Sequence, residues 1–437
     1  MKICIMTNLC DFNRGYSLTS IIADQCKMLH TYGHEVVLFV NDNFRDTYPV
    51  PPDVEIRKVM PNVALIDYNS EEELTEQHRK YVDEKLKPVL LEHLKEFQIC
   101  LTHDLCFTGW NLLYALGLKE TADQTRHCLF LHWIHSVPRS YQKDWWDIGK
   151  YGNNHKIVSP SKTNALLLSE RFRGLLDDVV VIPHIKDLRT WFDFGEDTEA
   201  FIREHPGMMW DDVVMVYPAS SDRMKSKQCH IHIMTAAACK RRCITCTLVF
   251  ANQWATETIN RQVREREDIT KLKEICKEMN LTYSPEGGQH CDVIFTSDFE
   301  HPKYDHGIPK KMLCELMCCA NLFMFPTIEE AWGLVGPEAA LCGNYIVLNR
   351  DLDVLSEVFQ DEGLYYGFGS SYRHLNIESG QELKYTDDIA ASILHNMFKE
   401  NLVKTRTITR QLYNYDRIYQ RYYEPLITSW SFQQEQP

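Results

Sequence analysis

The sequence predicts an α/β protein made of two doubly wound parallel sheets in series. Three observations carry that expectation. Short runs that are apolar at consecutive positions alternate with helix-length amphipathic segments, the mark of parallel strands covered on both faces. The alternation runs through two successive series. The chain length, 437 residues, is that of two or three domains.

In the first series the expected strands are Lys2 to Thr7, Glu35 to Val40, Ile99 to Thr102, Cys128 to Leu131, Lys156 to Val158 and Val179 to Ile182. In the second they are Val213 to Tyr217, Cys246 to Phe250, Val293 to Phe295, Leu322 to Phe325 and Tyr345 to Leu348. Between them, Ile182-Pro183-His184 through Gly195 and the polar stretch up to Gly207 read as the domain boundary. The expected domains are residues 1–190, joined by a terminal helix over 404–430, and residues 208–403. A charged helix is expected from Leu74, His78, Tyr81, Lys85 or Leu86, Val89 or Leu90 and Leu94, which recur every three or four residues. The terminal helix follows from Ile408, Leu412, Tyr415, Tyr419, Tyr422 and Leu426, a spacing that demands one buried face. In two doubly wound domains, the carboxyl ends of the strands are the natural place for a ligand.

Hydrophobic residues make up 44% and charged residues 25% of the chain, which excludes a disordered or fibrous protein. With 47 Lys plus Arg against 61 Asp plus Glu the net charge is −14, opposite to that of a nucleic-acid coat or a polybasic membrane binder. Sixteen cysteines follow an amino terminus too short in apolar residues for a secretory signal, so a reducing compartment and a cytoplasmic location are expected. Cys239, Cys243 and Cys246 have no second pair at zinc-ligand spacing and read as buried thiols; no metal is expected. No apolar stretch reaches the ~18 to 20 residues of a membrane span.

The chemistry concentrates in Phe325-Pro326-Thr327-Ile328-Glu329-Glu330-Ala331-Trp332-Gly333-Leu334-Val335-Gly336-Pro337-Glu338 and the Ala339-to-Gly343 stretch beyond it. A buried strand ends at Pro326, a glycine-containing loop follows, and a helix is expected to begin near Pro337. Amides of Trp332 to Gly336 would then face an anion, as a pyrophosphate site requires. Glu330 and Glu338 stand eight positions apart around this loop. Taken singly, Glu338 also reads as a charge favoured by a helix start, and Glu330 as a solvated loop residue.

Together, the Glu-x7-Glu spacing within strand, Pro-Thr-x-x-Glu-x-Trp-Gly-Leu-Val and Glu-Ala-x-x-x-Gly resembles the signature of retaining nucleotide-sugar glycosyltransferases of the group 1 (family four) type, which have the GT-B fold. The resemblance extends over nearly the whole chain, through Lys2 to Thr7, Arg14-Gly15-Tyr16 and Gly33-His34-Glu35-Val36 at the amino end and Tyr413 to Ile418 near the other. It implies two Rossmann-like domains facing a cleft, with a C-terminal helix crossing back to the first. It also implies that Glu330 lies against the transferred sugar, that Glu338 holds the donor ribose, and that Ala331, Trp332, Gly333, Leu334 and Val335 contact sugar and phosphate. A histidine at the end of a first-domain strand near the sugar corresponds to His135, with His132 as the alternative. Residues three apart on a strand face opposite sides, so joint metal ligation by these two is not expected. Gly15 is the candidate for close backbone approach, and it reads equally as a plain tight turn.

The second domain opens with Val214 to Pro218 and then Arg223-Met224-Lys225-Ser226-Lys227. Cations in a turn after a strand are what a departing diphosphate needs. Arg223 and Lys227 are assigned to catalysis and Lys225 to donor binding, a surface basic turn being the other reading. Asp351-Leu352-Asp353 reads as turn chemistry, not a metal motif, and Gly367-Phe368-Gly369 lacks the setting of a dinucleotide fingerprint.

The expected activity is transfer of a hexose-type sugar from a nucleoside-diphosphate sugar, UDP favoured and GDP possible, with no further cofactor and with retention. The acceptor is open among glycans, lipids, proteins, small molecules and a hydroxymethylated DNA base. Phe44 to Pro61, Arg139, Lys143 and Trp145-Trp146 are candidate acceptor contacts. Lys240-Arg241-Arg242, Arg261, Arg264 and Arg266 keep the DNA reading open. Rival readings are a catalytically inactive nucleotide-sugar-binding protein and an epimerase or phosphorylase on the same scaffold.

Overall fold

The computed structural model describes residues 1–13, 15–45, 54–63, 73–106, 111–135, 151–171, 174–259, 261–369 and 379–435. Two compact units result: Met1–Lys186 with Tyr415–Pro437, and Asp187–Asn414.

The first unit carries a seven-stranded parallel sheet of β1 (Lys2–Met6), β2 (Glu35–Asn41), β3 (Glu55–Met60), β4 (Ile99–His103), β5 (Leu129–Trp133), β6 (His155–Ser159) and β7 (Val179–Val181). Their order is β3-β2-β1-β4-β5-β6-β7. Its central strands are buried end to end, β4 and β5 at every residue, which is why they read as unbroken apolar runs. The second unit contains β8 (Val213–Ser220), β9 (Cys246–Gln253), the hairpin β10 (Thr256–Ile259) and β11 (Gln262–Glu265), then β12 (Val293–Phe295), β13 (Leu322–Phe325), β14 (Tyr345–Asn349) and β15 (Leu364–Tyr366). Its parallel sheet runs β12-β9-β8-β13-β14-β15. In both sheets the order reverses beside the first strand, between β1 and β4 and between β8 and β13. A crevice opens at such a switch point because the flanking connections leave to opposite faces.

All the expected strands are present. The edge strands β3 and β15 and the exposed hairpin were not expected: β3 carries Glu55, Arg57 and Lys58, and β15 is three residues long. The charged helix begins at Thr75, whose hydroxyl accepts from the His78 amide at 3.3 Å while His78 Nδ1 accepts from the Thr75 amide at 3.2 Å. A π-helical turn at Val82–Leu86 precedes Pro88, and the buried face becomes Val82, Leu86, Leu90 and Leu94.

The expected terminal helix proves to be two. Helix Asn401–Tyr413 belongs to the second unit, where Arg410 donates to the carbonyls of Met208 at 2.9 Å and Asp211 at 2.6 Å. The chain breaks at Asn414, whose ψ is 156°, and resumes as helix over 415–435 in the first unit. There a π-helical turn at Tyr419–Tyr423 advances the buried face by one residue. Ile418, Tyr419, Tyr423, Ile427 and Trp430 therefore pack against the sheet, while Ile408 and Leu412 stay exposed. Tyr419 stacks on Tyr32 with ring centroids 3.7 Å apart and meets His34 Nε2 at 2.7 Å. Among the described residues no helix is long and apolar enough to cross a membrane. All sixteen cysteines are free.

Candidate functional site

At the switch point of the second sheet, the carboxyl ends of β8, β9 and β13 surround a depression of about 520 Å³. Tyr217 to Ser220, Arg223, Lys227, Trp254, Phe325 and Glu330 to Val335 line it. The amide of Lys227 donates to the Arg223 carbonyl at 2.9 Å, so the spacing of four residues is one helical turn and puts both cations on the same side. Lys227 Nζ lies 2.5 Å from Glu330 Oε2 and 5.7 Å from the centre of the Phe325 ring. Arg223 is exposed and makes no ion pair among the described residues.

Gln228 and Ser226 fix this basic turn against the loop after β13, and Asn349 braces that loop. Gln228, in the left-handed region at φ 50°, donates through Nε2 to the carbonyls of Pro326 at 2.6 Å and Phe368 at 2.7 Å. The Ile328 amide donates to the Ser226 carbonyl at 3.1 Å. Asn349, fully buried, donates to the Thr327 carbonyl at 2.9 Å and accepts from the amides of Asp351 and Phe368. Gln228, Asn349 and Trp254 were not singled out in the sequence. A strand ending in Asn after an apolar run was the available signal for Asn349.

The loop turns at Gly333, whose φ is +83° and whose missing Cβ would stand 2.7 Å from the Phe325 ring. Only glycine meets both conditions. The helix then starts two residues before Pro337, spanning Val335–Leu341, because the Gly336 amide closes onto the Gly333 carbonyl at 3.0 Å. Pro337 still falls in the first turn, where a missing N–H costs nothing. The amides of Trp332, Gly333, Leu334 and Val335 have no acceptor among the described residues. With seven residues this helix has a small dipole, so Arg223 and Lys227 are the principal positive charges of the depression.

The other expected donor contacts lie elsewhere. Glu338 does not line the depression; it pairs with Lys310 of helix Lys310–Cys319. Lys225 lines a separate hollow of about 250 Å³ with His230, Asp268 and Lys271, because two residues on from Arg223 is about half a helical turn and faces the other side. Of the two glutamates only Glu330 lines the depression; the other acidic residue in its lining is Asp222, which accepts from the Ser220 hydroxyl.

In the first unit the carboxyl ends of β4, β5 and β7 carry a stack of aromatic rings. His103 Nδ1 and His135 Nε2 are 2.9 Å apart, and His135 and His184 stack with centroids at 5.2 Å. Trp133 stacks on all three rings at 5.5–6.0 Å. The Asp104 carboxylate accepts from the His135 amide at 3.0 Å. His132 faces the opposite side of the sheet, fully buried, with Nδ1 2.8 Å from Thr102 Oγ1 and Nε2 2.9 Å from His155 Nδ1. The opposite facing of His132 and His135 follows the pleat as expected. Gly15 sits in the loop after β1, its amide donating to Asn13 Oδ1 at 2.8 Å, and a Cβ there would meet only that side-chain oxygen, at 3.3 Å, which a small shift of Asn13 relieves. Nothing in its backbone therefore demands glycine. Arg14, Arg139, Lys143, Trp145, Trp146 and residues 46–53 fall outside the described residues.

Burial holds His103 and His132 well below the ordinary imidazole range and takes His135 down to about 4 and His155 to about 3, neighbouring histidines adding to the effect at the first three. These imidazoles bind protons in the unfolded chain near pH 6.5 and not in the folded one, so their stabilisation is complete above that pH and is lost as pH falls toward 4. Burial raises Asp104 to about 6, which acts in the opposite direction between its unfolded value of 3.8 and 6, but it is one group against several. The melting temperature of the first unit should therefore fall between pH 7 and pH 5, each extra proton costing about 1.4 kcal/mol per pH unit. His135→Gln should flatten that slope. Thermal melts unchanged over this range would contradict the buried neutral stack.

The basic groups considered for DNA are largely neutralised: Lys240 pairs with Asp292 at 2.8 Å, Arg241 with Asp387 at 2.5 Å, Arg242 with Asp387 at 3.4 Å, and Arg266 with Glu257 at 3.3 Å.

No family model and no curated protein matches this sequence. Solved structures similar to it include a glycosyltransferase from Rickettsia africae ESF-5, at 14% identity, covering 100% of both chains with a TM-score of 0.34. The sucrose-phosphate synthase of Thermosynechococcus elongatus is 15% identical over 98% of this chain and 99% of its own, with a TM-score of 0.34. HepE of Anabaena, solved with UDP-glucose, is 14% identical over 98% of this chain and 100% of its own, with a TM-score of 0.31. The fold stands on the two strand orders and the return of residues 415–435 to the first unit. In topology the chain is two doubly wound, Rossmann-like units in series.

Proposed function

We propose that the protein is a retaining glycosyltransferase that moves a hexose-type sugar from a nucleoside-diphosphate sugar, in the first instance a UDP-sugar, to an acceptor hydroxyl. The observation that supports this most is the meeting of Arg223, Lys227 and Glu330 around the Gly333 loop at a sheet switch point. Two cations and four unpaired amides suit a diphosphate; the Glu330 carboxylate beside them suits the hydroxyls of a sugar. The diphosphate takes Lys227 from Glu330, and Glu330 is released toward the sugar. The leaving phosphate then accepts the acceptor's proton on the same face, which gives retention without a protein nucleophile. His135 is assigned to the sugar side and Gly15 to close approach, on the resemblance of their segments. Glu338 and Lys225, which do not line the depression, are not assigned to the donor. With four of the six candidate DNA-binding cations in ion pairs, a modified DNA base is the weaker acceptor candidate.

Thermal unfolding with a panel of UDP- and GDP-sugars tests the reading. A donor at 100 times its Kd should add ~2.7 kcal/mol, a shift of about 5–10 °C for a unit of this size. No shift with any of them would contradict it, as would a spectrum with pyridoxal absorbance.

Glu330→Gln should lower transfer at least about tenfold without weakening UDP binding, because it removes a carboxylate that competes with the diphosphate for Lys227. Single-turnover kinetics and UDP titration read the two effects separately. Weakened UDP binding with normal transfer would place Glu330 on the nucleotide instead.

A further inference from the structure

Among the described residues, a trio of thiols on the second unit gathers metal-ligating atoms outside the depression. Cys314 and Cys318 stand one turn apart on helix Lys310–Cys319, and Cys342 closes the neighbouring helix Val335–Leu341. Their three Sγ atoms lie within 4.8 Å of one another, and Cys342 Sγ approaches the Cys314 carbonyl at 3.8 Å. Cys314 is exposed and the other two are half-buried, so an ion can enter from solvent. Cys319, next in sequence, is turned into the core and is no part of the trio.

We propose that Cys314, Cys318 and Cys342 hold one thiophilic d10 cation, zinc or cuprous copper. Three sulfurs bound at ~2.3 Å around a tetrahedral ion are separated by about 3.8 Å, so side-chain rotation alone closes the present spacing. A trio with an open fourth position suits zinc with a water, and a bare three-thiolate set suits cuprous copper. Charge is also provided for. Three thiolates around a divalent ion leave one net negative charge, and the Arg406 guanidinium stands beside them. Its Nη2 donates to the Cys318 carbonyl at 2.6 Å, while its buried Nη1 has no acceptor. Gly343, at φ +76°, admits that guanidinium, since a Cβ there would stand 2.5 Å from Nη1. The ion would tie together two helices, one of which begins at the Gly333 loop. Sequence spacing hid the site because its third ligand comes 24 positions after Cys318 (342 − 318).

The test uses the full chain purified without chelators and with thiols kept reduced. Metal content should approach one zinc or copper per chain, and titration of the stripped protein with zinc alone and with cuprous ion alone identifies which is held. Cys318→Ser and Cys342→Ser should each lower affinity at least tenfold, and Cys314→Ser likewise, while Cys243→Ser should leave it unchanged. Circular dichroism of each variant verifies folding, and metal should slow amide exchange over 335–343 in the parent but not in Cys342→Ser. Absence of binding to the reduced protein, loss of metal in Cys243→Ser in place of Cys342→Ser, or recovery of Cys318 and Cys342 as a metal-free disulfide would each overturn the proposal.

Discussion

Arg223→Ala and Lys227→Ala should each lower turnover about 10²–10³-fold, the loss seen when one preorganised donor is withdrawn from a developing anion. The charge that grows as a glycosidic bond to a diphosphate breaks must be met by groups already in place. Here the helix behind the loop is too short to meet it alone. Lys227 is in place in the free protein, held by Glu330 at 2.5 Å and by the face of Phe325. Arg223, exposed and without an ion pair among the described residues, costs no broken contact when it turns to the phosphate. The loss should therefore appear in kcat for both variants, and melting temperatures should stay near the parent's. Arg223→Lys should recover part of the rate, because it restores the charge without the two-pronged geometry. Activity in both alanine variants within about threefold of the parent would remove the electrostatic basis of the proposed function.

The sheets were legible because buried parallel strands admit no polar residue for long. Ile3 to Met6 and Leu322 to Phe325 are almost wholly removed from water, and nothing but an apolar run serves there. The edge escapes that constraint. In β3 only Met60 is buried, so Arg57 and Lys58 can occupy a strand that pattern alone reads as loop. The π-helical turns escaped for a related reason: an extra residue in one turn shifts the period, and Tyr423 and Ile427 are buried where Tyr422 and Leu426 were expected.

In the candidate site, the loop was legible through Gly333 and the basic turn through Arg223 and Lys227. The place of Glu338 was not. Whether a carboxylate in a first helical turn faces a ligand or a neighbouring helix depends on which helix packs beside it, and Lys310 is 28 residues away in sequence (338 − 310). The supporting contacts of Gln228 and Asn349 were hidden in the same way, since both bind backbone carbonyls of distant segments.

Asp187→Ala should cost about 3–5 kcal/mol of the second unit's stability, a fall in melting temperature on the order of 10 °C. Asp187 and Arg189 begin this unit, and their side chains are 0% and 3% exposed. Arg189 Nε donates to Asp187 Oδ1 at 2.8 Å and Nη2 to Oδ2 at 2.6 Å, a two-pronged pair, while Oδ1 also accepts from the Arg189 amide at 2.8 Å as a helix cap. Removing the carboxylate takes the two-pronged partner from a guanidinium in the interior, and that loss accounts for most of the cost. Asp187→Leu combined with Arg189→Met should therefore be far less destabilising than Asp187→Ala alone, because it takes both charges out together. It should still fall short of the parent by about 1 kcal/mol, the share of the lost cap. Asp187→Asn, which keeps a capping oxygen and loses the charge, should lie between the two. Equal losses in the single and double variants would mean that the cap, not the buried charge, governs this corner of the fold.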